Sequence, residues 1–123
     1  MEQEYIKGDI VMYDNKIHTI MDALGVNNYE LSYIEHPVHQ LELSGVPITP
    51  EILGKNGWEK DEEASFKTQL YYKKKFGVNT ITIIATNEDF RVVYSTTYIR
   101  YIQYVHELQH LLFGLNVNHE MEV

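Results

Sequence analysis

Cysteine is absent from the 123 residues, so neither a disulfide framework nor a thiolate metal site is available. That composition suits a reducing compartment. Basic residues are scarce as well: ten Lys and Arg stand against eighteen Asp and Glu, a formal net charge of −8. The shortage is sharpest from Met1 to Ile48, where only Lys7 and Lys16 offset eight acids. Non-specific nucleic-acid binding draws on cations that neutralise phosphates, so nucleic acid is not the expected partner. No run approaches the ~20 apolar residues that span a bilayer, so no membrane association is expected. Met1 to Gly8 lacks the basic-then-apolar pattern of a secretory leader, so none is expected. Also missing are a phosphate-cradling glycine loop and any Ser-His-Asp or Cys-His nucleophile pattern.

What is present is an ordinary globular composition, 44% hydrophobic and 23% charged. The pattern predicts an α+β fold in a single domain, 1–123, with sub-lobes at 1–48, 49–58 and 66–123. The first is a small antiparallel strand meander, possible as an SH3-like barrel. Asp9 to Tyr13 is β-rich and leads into Asp14-Asn15, a good tight-turn pair. Lys16 to Leu24 alternates, Gly25 to Asn28 is a turn cluster, and Tyr29 to Glu35 alternates again. Pro37 interrupts, and Val38 to Leu43 resumes the strand pattern with Leu41 and Leu43 in phase.

Thr49 is a plausible N-cap, Pro50 suits the first helical position, and Glu51 favours the positive helix end. A helix of about two turns is expected to end near Gly57, with Trp58 packing beyond it. Lys60 to Ala64 is a charged connector. A three-stranded antiparallel meander follows. Its first strand contains Phe66, Gln69 to Tyr72 and Phe76 and ends at Gly77-Val78-Asn79. The second is the β-branched run Thr80 to Thr86, and the third runs from Phe90 to Thr97 after the turn at Asn87-Glu88-Asp89. Ile99 to Phe113 then reads as an amphipathic helix ended by Gly114. Tyr101, Val105, Leu108 and Leu112 share its apolar face, with Gln103, His106 and His110 opposite. Leu115 to Val123 is a short strand or an ordered tail.

That helix carries His106-Glu107-Leu108-Gln109-His110, a match to H-E-x-x-H. Histidines at i and i+4 can hold Zn²⁺, with Glu107 as general base on a metal-bound water. A catalytic zinc needs a third protein ligand, however. The extended pattern would place Gly and His where Phe113 and Asn116 stand, and His119, Glu120 and Glu122 reach the metal only if the chain turns back sharply. The preferred reading is therefore no metal, no cofactor and no catalytic residue. His106, Glu107 and His110 are then the solvated face of an amphipathic helix, and a minimal zinc hydrolase is the alternative.

Lesser candidates are the imidazoles of His36-Pro37-Val38-His39, where the proline favours a turn or a strand edge. Lys73-Lys74-Lys75 beside Tyr71 and Tyr72 has the basic-aromatic flavour of single-strand nucleic-acid binders, but strand alternation would divide the lysines between two faces. The chain also has ten tyrosines, residues that supply amphipathic contact area at low entropic cost.

Three segments occur in order: Gly8-Asp9-Ile10-Val11, the stretch from Pro47 to Trp58 (Pro-Ile-Thr-Pro-Glu-Ile-Leu-Gly-Lys-Asn-Gly-Trp), and Tyr104-Val105-His106-Glu107-Leu108-Gln109-His110-Leu111. Together they resemble a family of short proteins, without an assigned activity, encoded by Bacteroidetes phages, prophages and mobile elements. In that family the last helix often reads Tyr-Val-His-Gln-Leu-Gln-Asn, from which this chain departs at Glu107 and His110. The resemblance implies a cytoplasmic protein of the bacterial host cell and transfers no functional residue. The resulting expectation is a non-enzymatic accessory protein that binds a protein partner or associates with itself.

Overall fold

A computed structural model describes residues 4–63, 65–66, 69–87, 89–94 and 97–123. The fold is α+β, with two antiparallel sheets and a C-terminal helix. Two compact units divide the chain: 1–47 with 104–121, and 48–103 with 122–123. The last helix therefore belongs with the first strands, whereas the sequence reading grouped it with the second set.

In the first unit, β1 (Ile10–Tyr13), β2 (Lys16–Ala23), β3 (Asn28–Leu31), β4 (Val38–His39) and β5 (Ser44–Gly45) form one sheet in the order β4-β3-β2-β1-β5. Asp14 and Asn15 close the β1–β2 hairpin with φ of 50° and 61°. Two positive φ values in a two-residue loop are what a type I′ turn needs, and short polar side chains tolerate them best. Alternation then sends His18 and Ile20 inward and leaves Ile17 and Met21 exposed. Val11, Ile20, Tyr29, Leu31, Val38 and Leu43 meet in one apolar cluster. The strand expected across Val38 to Leu43 is interrupted by a 3-10 turn, Gln40–Glu42. His39 Nδ1 accepts the Leu41 N–H and Glu42 accepts the His39 N–H, so local side-chain capping overrides the alternation and Leu41 points to solvent.

Helix α2 (Val105–Gly114) packs on β1 and buries Val105, Leu108 and Leu112. It is shorter than expected at its start, because Thr97–Ile102 is a strand. Gly114 lies inside it. The left-handed residue that ends the helix is Asn116 (φ 59°), and Val117 N–H to Leu112 O and Asn116 N–H to Phe113 O complete a Schellman closure.

The second unit opens with α1 (Pro50–Lys55), capped by the Thr49 hydroxyl on the Ile52 N–H at 3.2 Å. The helix exits through Gly57 (φ +84°) to a buried Trp58, as its cap and glycine signals foretold. Strands β6 (Glu59–Lys60), β7 (Leu70–Phe76), β8 (Asn79–Ala85), β9 (Phe90–Tyr94) and β10 (Thr97–Ile102) follow in the order β10-β9-β8-β7-β6. The expected three-stranded meander is thus a four-stranded one, β7 to β10, extended by β6. Tyr72, Ile81, Ile83, Ala85, Val92 and Ile102 are buried on one face, and their neighbours in sequence look outward. Ala64 and Glu88, named above, lie outside the described residues. Among the described residues no helix is long and apolar enough to cross a membrane.

Candidate functional site around the histidine helix

The polar side of α2 is not a solvated face. His106 is 7% exposed and Gln109 is fully buried, so the buried arc of the helix runs well past its apolar residues. Only Glu107 and His110 of the motif sit at partial exposure. This corrects the placing of His106 on a solvated face, while Glu107 and His110 keep partial exposure.

Each polar residue meets a group far away in sequence. Asp9 immediately precedes β1 and is 0% exposed. Its Oδ2 accepts the Ile6 N–H at 2.9 Å and lies 2.6 Å from His110 Nε2, which donates to it. Gln109 uses both ends of its amide. Its Oε1 accepts the Ile10 N–H at 2.9 Å, and its Nε2 donates to Gly8 O at 2.9 Å and to His119 O at 3.2 Å. One side chain thus fixes the start of β1 and the C-terminal tail to the helix. Glu107 Oε1 accepts the Tyr104 N–H at 2.9 Å, half of a capping box at the helix N-terminus.

His106 lies in an aromatic pocket. Tyr104 stacks on it at 5.8 Å and 10°, Tyr5 meets it edge-on at 5.0 Å, and the His110 ring is 5.7 Å away. Burial lowers its pKa, outweighing the attraction of the Asp9 carboxylate, so the imidazole is neutral near pH 7. Burial likewise pushes the Tyr5 hydroxyl up to about 12, helped by the charge of Glu4, and it stays protonated throughout the physiological range. Two atoms in this region are buried without a hydrogen-bond partner, His106 Nδ1 and Asp9 Oδ1.

A pH dependence follows. The unfolded chain binds a proton at His106 near the ordinary value of 6.5, whereas the folded chain binds it only at lower pH. Stability from this group is therefore full above about pH 6.5 and is lost as pH falls from there towards the folded pKa. Urea midpoints measured between about pH 8 and pH 5 should decline on the acid side, and the decline should flatten in His106→Gln. An equally steep acid limb in that variant would contradict the assignment.

The zinc alternative is weighed against the same atoms. The nitrogen that His110 would turn to a metal is held by Asp9, the Glu107 carboxylate caps the helix, and His119 lies edge-on to Phe113 at 5.1 Å. Glu120 is exposed, and its own N–H binds Asn118 Oδ1. Among the described residues no group of three or more His, Asp or Glu side chains is arranged to hold a metal ion. His110 and Asp9 do form an oriented His–carboxylate pair, the part of a hydrolase that positions a base.

The other candidates separate. His39 caps the 3-10 turn, while His36 is exposed with Nδ1 3.1 Å from Pro37 O. The three lysines of β7 divide as alternation requires. Lys74 donates to Asn56 O at 2.6 Å, closing the C-terminus of α1, and lies 5.2 Å from the Phe76 ring. Lys73 and Lys75 look outward with Tyr71, Tyr72 is buried, and Lys73 pairs with Asp61 at 2.8 Å. Reading the sequence missed Asp9 and Gln109. The available signals were an acid wedged into Gly8-Asp9-Ile10-Val11 and a glutamine beside Leu108 on the inner arc.

No protein-family model, no curated protein and no solved structure matches the chain.

Proposed function

We propose that this is a non-enzymatic accessory protein, of the phage or mobile-element kind its motifs resemble, that works by binding a protein partner or a second copy of itself. The carrying observation is the outward face of the second sheet. Tyr98 and Tyr101 stand half exposed on the edge strand β10, 5.4 Å apart and edge-to-face, with the Arg91 guanidinium 5.2 Å from the Tyr101 ring. The strand register continues this face through Val93 and Ile84 to Tyr71. Tyrosine and arginine around an apolar patch make the composition of an interface centre. Lys73 is paired with Asp61 and Arg91 with Asp89, so the cations here are offset by carboxylates and a polyanion gains little.

The first unit supports the same reading by analogy of fold. Its order β4-β3-β2-β1-β5, with a 3-10 turn between β4 and β5, supports our reading of this unit as SH3-like, an architecture that hosts many binding modules. The chemistry-bearing side chains of α2 meanwhile hold the fold together.

Light scattering on the purified chain, with a pull-down from host lysate, tests the proposal. A dimer or a captured protein is expected, with affinity lowered roughly tenfold or more in a Tyr98→Ala/Tyr101→Ala variant that melts like the parent. A strictly monomeric protein that captures nothing would contradict it.

A further inference from the structure

Tyr33, in the loop between β3 and β4, combines two features that fold stability alone disfavours. Its backbone is left-handed (φ 63°), a conformation that is strained for a bulky side chain, and its ring is 98% exposed. The strain is held in place from below. Ser32 N–H donates to Thr19 O, Ser32 Oγ accepts the Thr19 N–H, and His18 Nδ1 lies 2.8 Å from Ser32 O. The ring stands as a fin between two depressions. One, of about 820 Å³, includes Met21, Leu24, Ile34 and Pro37 in its lining, with Glu30 and Glu35; the other, of about 340 Å³, is formed with Tyr13 and Ile17.

The charge around the fin is mainly negative, with Lys16 at the smaller depression as the one cation in the two linings. Asp22 and Glu30 face each other directly across the β2–β3 pair, and both are exposed. Like charges in register destabilise a sheet, so this pair also runs against stability. Asp14 in the β1–β2 turn and Glu35 in the β3–β4 loop are exposed and line the two depressions. The first unit as a whole carries ten acids against Lys7 and Lys16.

From the strained, exposed tyrosine, the two flanking grooves with their aliphatic residues and the mainly acidic rim, we infer that this surface is a docking site for a basic peptide segment of a partner protein. The segment sets an aliphatic or aromatic residue against Tyr33 and Lys or Arg side chains against Asp22, Glu30 and Glu35. The inference rests on the protein-binding reading but uses a surface of the other unit. Strain at Tyr33 presents the ring in its bound position before the partner arrives, which lowers the ordering cost of association.

The test is selection of a displayed random-peptide library against the 123-residue chain, followed by titration calorimetry with the selected peptides. Enrichment of Lys and Arg around an apolar residue is expected. Tyr33→Gly should weaken those peptides at least roughly tenfold while its melting temperature holds or rises, because glycine adopts this φ without strain. Glu30→Lys should weaken them too and flatten their salt dependence, with no loss of stability. Tyr98→Ala/Tyr101→Ala should bind them unchanged, so failure here and failure of the second-sheet interface are read separately. Peptides without basic enrichment, affinity indifferent to Tyr33→Gly, or no selected peptides at all would overturn the assignment. So would self-association of the free chain that Tyr33→Gly abolishes, since a second copy would then be the occupant.

Discussion

Replacing Gln109 with Leu should destabilise the protein by about 3 kcal/mol, although the side chain keeps its size and gains hydrophobicity. The substitution removes three hydrogen bonds and leaves the Ile10 N–H buried without an acceptor and Gly8 O without its donor. A buried backbone group stripped of its partner costs about 1–3 kcal/mol. Gln109→Glu should do no better. It retains an oxygen for Ile10 but sets a carboxylate against the carbonyls of Gly8 and His119 in a fully buried site. For a chain of this size a loss near 3 kcal/mol lowers the melting temperature by about 10 °C. If Gln109 belonged to a wet helix face, both variants would fall within about 0.5 kcal/mol of the parent. Thermal melts of the two variants decide the point.

Gly45→Ala should cost about 2 kcal/mol or more. A Cβ on Gly45 would stand under 3 Å from the Cγ, Cδ1 and Cβ atoms of Tyr104. The neighbour cannot easily yield. Tyr104 is the N-cap of α2, its main chain bridges to Pro47, and its ring stacks on His106. Overpacking of this kind typically costs about 1–3 kcal/mol. The cause can be isolated with a double-mutant cycle. In a Tyr104→Ala background the ring is gone, and Gly45→Ala should become nearly neutral. An unchanged penalty there would place the strain in the backbone of Gly45 rather than in the contact.

Local features of this fold were legible in the sequence wherever their cause is local. The Asp14-Asn15 hairpin, the Thr49-Pro50-Glu51 cap and the β-branched run of β8 each depend on neighbours within a few residues, and each occurs where the letters place it. Two elements were misread because two periods overlap. Tyr101 falls in helical phase with Val105 and Leu108, yet Thr97–Ile102 also alternates, and the exposed edge of β9 was there to receive it. At Gln40–Glu42 a reciprocal cap outweighed an alternation that Leu41 and Leu43 seemed to continue. The site was less legible. Polar letters on α2 suggested water, but Asp9, Gly8 and Ile10, about a hundred residues away, supply the partners that let His110 and Gln109 turn inward. Hydrogen bonds of that span leave no periodic trace. The strain at Tyr33 was equally invisible, since φ is set by the turn and not by the residue name.

The H-E-x-x-H helix braces the first unit, with Glu107 and His110 bonded to Tyr104 and Asp9 and His106 buried against aromatic rings. Metal analysis of protein purified without a histidine tag, paired with melts in chelator, tests this most directly. Substoichiometric zinc is expected, with a melting temperature that the chelator leaves unchanged. One zinc per chain, lost in His106→Ala together with the chelator response, would contradict it.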